Sequence, residues 1–168
     1  MPFTPFHLGP ALAIGLPFRK YMHAPTFIVA NVILDIEPLL VVYFGLDYPL
    51  HGYLHTLLLA FIVGLFLGYV MFNLERFMQP FYRKVKLETS NTLRLKSFLL
   101  AGVFGTALHV LFDAVLYADI QPFFPLSANP MLNLSLSGSL GVYVLCIWLG
   151  IFGIIYYVAL LAYSMYKK

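Results

Sequence analysis

A chain of 168 residues that is 61% apolar and only 10% charged is unlike a soluble domain, in which about a quarter of the residues are charged. Its mean hydropathy of +0.87 predicts an integral membrane protein, because ionised side chains are costly in hydrocarbon. The formal net charge of +3 does not indicate nucleic-acid binding, since the basic residues are distributed as membrane topology requires.

Five apolar segments separated by polar stretches predict an all-α, polytopic transmembrane helical bundle, with residues 1–168 forming one integral membrane domain. No basic region precedes the first segment, so a cleavable signal peptide is not expected. At 1.5 Å per residue the first segment reaches only roughly 20 Å, which predicts an incomplete span or a re-entrant helix. The segments lie near residues 5–18, 25–45, 55–75, 97–117 and 139–166.

The basic residues all fall on one side of the membrane if each segment crosses once. The positive-inside rule assigns that side to the cytoplasm, so loop 76–96 is predicted to be cytoplasmic and loop 118–138, which has no basic residue, extracytoplasmic. We therefore expect a cell-membrane protein with its amino terminus outside and its carboxy terminus inside. The basic side chains would contact lipid headgroups rather than nucleic acid. The ten are Arg19, Lys20, Arg76, Arg83, Lys84, Lys86, Arg94, Lys96, Lys167 and Lys168.

Seven ionisable residues lie in or beside the apolar segments without a basic partner there. Such residues are candidates for function, because their desolvation must be offset by a partner or an ion. A bound cation would neutralise them together, and the topology above brings most of them to the outer half of the membrane. They are His7, Asp35, Glu37, His51, His55, His109 and Asp113.

The spacing of four of these residues suggests metal ligands. His109 and Asp113 are four residues apart, so on a helix they project from one face and can bind one ion. His51 and His55 have the same spacing. Imidazole and carboxylate ligands together suit zinc, with manganese and iron as alternatives, so we predict a divalent metal site. A hydrogen-bonded packing pair remains the alternative for His109 and Asp113.

Asp35 and Glu37 are two residues apart, which on a regular helix points them to roughly opposite sides. Pro38 removes a backbone donor and is expected to distort the helix, so that both carboxylates reach one site. Asp35 is predicted to be a metal ligand, together with His7, and Glu37 to be the general base or a carboxylate that orients a ligand. His23 lies beside the first basic pair and is predicted to be a surface residue.

These residues occur in short motifs, and the motifs resemble the family of membrane-bound, metal-dependent hydrolases typified by the bacterial YdjM protein. The resemblance covers residues 1 to about 127 and implies a metal-dependent hydrolase. Leu34 and Glu37 replace a proline and an aspartate of the family pattern, and Gly52 replaces a common arginine. The matching motifs are Phe6-His7-Leu8, Leu34-Asp35-Ile36-Glu37, His51-Gly52-Tyr53-Leu54-His55-Thr56-Leu57-Leu58, His109-Val110-Leu111-Phe112-Asp113 and Gln121-Pro122-Phe123-Phe124-Pro125-Leu126.

The order of the ligands is also similar to that of zinc-dependent phospholipase C and related zinc nucleases. This second resemblance implies hydrolysis of a phosphoester, so the expected substrate is a lipid or a lipid-linked phosphoester at the outer leaflet. Tyr53 and residues 121–127 are expected to shape the substrate entrance. A small metal-ion or proton transporter and a metal-stabilised structural membrane protein are the alternatives. The matching positions are His7, Asp35, His55, His109 and Asp113.

Overall fold

The computed structural model of the protein describes residues 5–87 and 94–166. This part of the chain is helical and contains no strand, which confirms the predicted all-α class. Four stretches are long and apolar enough to cross a membrane, namely Ala24–Phe44, Leu57–Lys84, Leu95–Leu116 and Leu136–Tyr166. The helices are α1 (Leu8–Gly15), α2 (Ala24–Ile33), α3 (Ile36–Phe44), α4 (Leu57–Lys84), α5 (Leu95–Leu116) and α6 (Leu136–Tyr166), with 3-10 turns at Pro5–His7, Pro17–Lys20 and Tyr53–His55.

The first predicted segment runs alongside the bundle instead of turning back. At its start, His7 Nε2 lies 3.1 Å from Asp113 Oδ1, near the end of α5. After it, the His23 backbone N–H donates to the Ser97 carbonyl at the beginning of α5. The stretch of α5 from Ser97 to Asp113 measures about 24 Å at 1.5 Å per residue, so the short α1 and its flanking 3-10 turns cover that depth.

The helix break expected at Pro38 is present. Helix α2 ends at Ile33 and α3 begins at Ile36, so Leu34 and Asp35 lie between them. Because proline lacks an N–H, the carbonyl of Leu34 cannot take its usual helical bond from Pro38, and it accepts instead from the Glu37 N–H at 3.0 Å. The break turns both carboxylates of this segment into the bundle, where they are buried.

Close packing of α4 against α5 fixes which residues of the two helices lie beside each other. A Cβ atom at Gly68 would come within 2.6 Å of the Phe98 carbonyl oxygen, and one at Gly64 within 2.7 Å of Val103 Cα. Small residues at these positions let the two backbones touch, as is common in membrane bundles. The antiparallel contact places the start of α4 beside the end of α5.

The described basic residues gather at one end of the bundle, which we call the basic end. Helix α4 continues to Lys84, so Arg76, Arg83 and Lys84 are helical and the predicted loop 76–96 is shorter than expected. Arginine and lysine are good helix formers, and these exposed side chains extend the helix past its apolar part. Arg94 and Lys96 lie at the start of α5 and belong to the same end, whereas Lys167 and Lys168 are outside the described residues.

The prediction that His23 is a surface residue is wrong, because its side chain is fully buried. His23 is the N-cap of α2, and its Nδ1 accepts a hydrogen bond from the Thr26 N–H at 3.3 Å. The ring stacks on Phe98 with centroids 4.1 Å apart. Its other nitrogen, Nε2, lies 3.1 Å from Glu75 Oε2, although the angle is not that of a hydrogen bond. Capping a helix inside the bundle explains why this residue is buried.

Candidate metal centre

The six side chains predicted as metal ligands converge at the end of the bundle opposite the basic end. They form two groups whose ligand atoms lie within 4.8 Å of one another, and Asp113 belongs to both. All six are buried. Either group could hold a metal ion. The four-residue group consists of His7, Asp35, His109 and Asp113, and the three-residue group consists of His51, His55 and Asp113.

The distances within the four-residue group match those between ligands of one ion. His7 Nε2 lies 3.1 Å from Asp113 Oδ1, and His109 Nε2 lies 3.3 Å from Asp113 Oδ2 and 3.8 Å from Asp35 Oδ1. Two ligands that are each about 2.0–2.2 Å from a tetrahedral zinc lie roughly 3.3–3.6 Å apart. The other oxygen of Asp35, Oδ2, is buried and has no hydrogen-bond partner, so this carboxylate has capacity for an ion.

Two histidines present lone pairs to each other. The Nδ1 of His55 lies 2.8 Å from Glu37 Oε2, and the Nδ1 of His109 lies 2.8 Å from the carbonyl oxygen of Asn31. Carboxylate and carbonyl oxygens only accept, so both Nδ1 atoms must carry hydrogen. In the neutral rings both Nε2 atoms are then bare, yet they lie 3.3 Å apart. A proton on one of these nitrogens, or metal ions bound to them, would offset their repulsion.

Glu37 contacts the ring of His55 and belongs to neither ligand group. Its Oε2 accepts from His55 Nδ1 and from the Gly52 N–H at 3.0 Å, and its Oε1 accepts from the Leu54 N–H at 3.2 Å and the Tyr48 hydroxyl at 3.3 Å. Donors therefore occupy both oxygens. This arrangement favours the orienting carboxylate, one of the two roles that the sequence left open for Glu37, over the general base.

Asp119 orients His51 in a similar way, and sequence reasoning did not single it out. Both oxygens of Asp119 lie 3.1 Å from His51 Nδ1, and Oδ2 also accepts from the His51 backbone N–H at 3.0 Å. Burial raises the pKa of this carboxyl, but the hydrogen bonds from His51 outweigh burial and leave the pKa below its ordinary value. Burial lowers the pKa of His51, which favours the neutral ring, and with Asp119 at Nδ1 the lone pair of that ring lies on Nε2.

A cavity of about 300 Å³ opens beside the three-residue group. His51 and Asp119 form part of its wall, and Tyr53 lies opposite Phe124 with ring centroids 5.3 Å apart. Tyr53, Gln121 and Phe124 thus border the cavity, as expected for residues that shape an entrance. In the part of the chain that the structure describes, no arginine or lysine lines the cavity. A bound ion could supply the positive partner for a phosphate that enters it.

An apolar groove of about 410 Å³ lies along α1, α2 and α3. Leu8 and Ile36 line it, and these residues directly follow His7 and Asp35 in the chain. The groove is apolar and large enough to receive part of a hydrocarbon chain close to the ligand groups. Comparisons with family models, with curated proteins and with solved structures found no match to the chain. The fold and the site therefore define the protein as an all-helical membrane protein with a buried centre that could hold metal.

Proposed function

We propose that this protein is a metal-dependent membrane hydrolase that acts on a lipid or a lipid-linked phosphoester. The observation that carries the proposal is the approach of the His55 and His109 Nε2 atoms to 3.3 Å among buried carboxylates, with both Nδ1 atoms facing acceptors. A proton could satisfy one of these nitrogens, whereas ions bound by the two groups would satisfy both, since His109 belongs to one group and His55 to the other. A divalent ion would also neutralise Asp35 and Asp113, whose ion-pair contacts in the structure are with histidines.

Zinc is the ion we expect, with manganese and iron as alternatives. Zinc favours imidazole nitrogen with carboxylate oxygen in tetrahedral sites, which agrees with the two histidines and two aspartates of the four-residue group. A bound divalent ion would supply Lewis-acid polarisation of a phosphoryl oxygen and activation of water. The motifs that resemble those of the membrane-bound, metal-dependent hydrolases, and the ligand order that resembles that of zinc-dependent phospholipase C, support the same chemistry.

The residues of the chain would hold and orient the reacting groups. Asp113 holds its two oxygens toward both ligand groups, while Glu37 and Asp119 fix the rings of His55 and His51. Glu37 acts through His55, so we treat it as a positioning residue. Glu37→Gln distinguishes this role from the general-base role predicted from sequence.

Two surfaces support a lipid as the substrate. The cavity beside His51 has room for a polar headgroup, and the apolar groove lined by Leu8 and Ile36 would receive an acyl chain. A transporter instead requires polar access from both faces. Below His109 the contact between α4 and α5 is closed by Ala60, Gly64 and Gly102, which favours hydrolysis at one face.

The orientation in the membrane is part of the proposal. The basic end would lie in the cytoplasm and the metal centre in the outer half of the membrane, following the positive-inside rule. We expect a cysteine placed at Asp47 to react with an impermeant thiol reagent on intact cells, and one placed at Lys86 to remain unlabelled until the cells are opened. Labelling of the Lys86 position from outside would show that the orientation is the opposite of the one proposed.

The activity is tested on the purified full chain in detergent. Elemental analysis should find a transition metal bound to the protein, and phospholipids or lipid-linked phosphoesters in mixed micelles should be hydrolysed. A chelator should abolish turnover, and added zinc or manganese should restore it. His109→Ala should lose both metal and turnover. Bound metal without turnover on any such substrate, together with metal transport in liposomes, would favour the transporter.

A further inference from the structure

We infer that the two ligand groups hold two separate ions, and that Asp119 is the positioning residue that enables the three-residue group to bind its ion. The inference rests on the proposed metal centre and divides it into two parts. The first part is the four-residue group, which resembles a closed structural site. The second is the three-residue group, which resembles an open reactive site.

The number of ligands in each group supports this division. Structural zinc sites use four protein ligands, whereas catalytic sites use three and leave one position for water or substrate. His7, Asp35, His109 and Asp113 supply four buried ligands, whereas His51, His55 and Asp113 supply three. Oδ1 of Asp113 lies 3.1 Å from His7 Nε2, whereas Oδ2 lies between the two groups, 3.3 Å from His109 Nε2 and 3.8 Å from His55 Nε2. Asp113 can therefore bridge two ions.

The two groups also differ in their access to the cavity, and the three-residue group is the one beside it. His51 lines the cavity of about 300 Å³, and so does its partner Asp119. Of the three-residue group only His51 lines that cavity, and no member of the four-residue group does. An ion bound by the three-residue group would lie next to an opening large enough for water and a headgroup. An ion bound by the four-residue group would be enclosed by protein.

Asp119 determines whether His51 can serve as a ligand. The His51 ring is held by Asp119 on its Nδ1 side, at 3.1 Å from both oxygens, and the backbone of His51 is held by the same carboxylate at 3.0 Å. These contacts favour the tautomer with hydrogen on Nδ1, which leaves the lone pair on Nε2 as the ligand atom that His51 can offer to an ion shared with His55 and Asp113. Without the carboxylate, the ring could rotate or carry its hydrogen on the other nitrogen. Outer partners of this kind change metal affinity by about 10–100-fold.

The test compares Asp119→Asn with wild type and with Asp47→Asn, all purified as the full chain. Asp47 is an exposed carboxylate at the same end of the bundle, so its variant controls for the loss of one negative charge. Each protein is stripped, then titrated with Co²⁺ and Zn²⁺ while absorbance and bound metal are recorded. Wild type and Asp47→Asn should bind two ions in two steps. Asp119→Asn should bind the first ion with unchanged affinity and the second about 10–100-fold more weakly.

A second variant separates positioning from folding. Asp119→Ala should lose the second ion, and formate, which is small enough for the adjoining cavity, should restore part of that binding. Retention of the first ion shows that the bundle is folded. Two ions bound with wild-type affinities in Asp119→Asn would overturn the inference. A single ion in wild type would also overturn the inference but would leave the proposed hydrolase intact. No bound ion in wild type would overturn both the inference and the proposed function.

Discussion

Buried histidines meet carboxylates at both ends of this bundle, but the two clusters are chemically different. At the metal centre, the Nδ1 atoms of His55 and His109 face acceptors, so their Nε2 lone pairs point at each other across 3.3 Å. At the basic end, the Nδ1 of His23 accepts from the Thr26 N–H, which favours hydrogen on Nε2. That nitrogen lies 3.1 Å from Glu75 Oε2 without hydrogen-bond geometry, and the described residues place no third ligand side chain beside this pair.

The comparison shows that burial and residue type do not by themselves identify a metal site. His23 and Glu75 are as suitable in kind as His109 and Asp113, but they form a single pair, whereas His109 and Asp113 belong to a group of four ligand residues. The hydrogen-bond partner on the far side of each histidine ring decides whether a lone pair or a hydrogen faces the cluster. An acceptor behind the ring turns a lone pair inward, whereas a backbone donor behind it turns a hydrogen inward.

The largest expected effect follows from replacing the carboxylate that both ligand groups share. Asp113→Asn removes a charged ligand from each group, so we expect bound metal to fall below one tenth of the wild-type content. Glu75→Gln is the matched control, since it makes the same isosteric change in the other cluster and should leave metal content unchanged. Elemental analysis of both variants after size-exclusion chromatography provides the measurement. Equal metal content in the two variants would abolish the distinction between the clusters.

Metal removal should destabilise the fold through the same cluster. An ion present at about a thousand times its dissociation constant stabilises the folded state by about 4 kcal/mol. We expect a chelator to lower the thermal unfolding temperature of wild type in detergent and to leave that of Asp113→Asn unchanged. Glu75→Gln should respond to the chelator as wild type does. A chelator response that persists in Asp113→Asn would place the stabilising ion elsewhere.

Glu37→Gln distinguishes a positioning carboxylate from a general base. An amide cannot accept all four of the donors that surround the carboxylate, and it no longer fixes hydrogen on His55 Nδ1. We therefore expect metal affinity to fall about 10–100-fold, with turnover restored in part by excess metal. Full metal binding with turnover lost about 10²–10⁴-fold would instead establish the base predicted from sequence.

Much of this arrangement could be predicted from the sequence because it depends on spacing and composition. The separation of His109 from Asp113 places them on one helix face, and Pro38 predicts the break that brings Asp35 and Glu37 inward. The apolar segments likewise predict the four long stretches of helix. These features are local, so neighbouring residues carry the signal.

The residues that the sequence did not reveal are those whose role depends on distant contacts. Asp119 follows α5 in a loop, and only the fold brings it to His51, which lies 68 positions earlier. The carbonyl of Asn31 belongs to the backbone and has no side-chain signature. The two basic residues before His23 predict a surface position, yet its role as a cap inside the bundle depends on packing against α4 and α5.

The smallest effect we expect concerns His23 and the pH dependence of stability. Burial lowers its pKa to about 3 from an ordinary 6.5, so the folded state keeps the ring neutral while the unfolded state binds a proton below pH 6.5. Stability is therefore complete above that pH and is lost as the pH falls toward 3, by about 1 kcal/mol between pH 7 and 5.5. His23→Asn keeps a capping side chain but cannot titrate, so its unfolding free energy in detergent should lose about 1 kcal/mol less over that interval than wild type. Groups elsewhere, including the metal ligands, titrate equally in both proteins and cancel in the difference. The variant should keep its full metal content. Identical pH slopes would mean that His23 is not held neutral, and the contrast between the two clusters would then lose its physical basis.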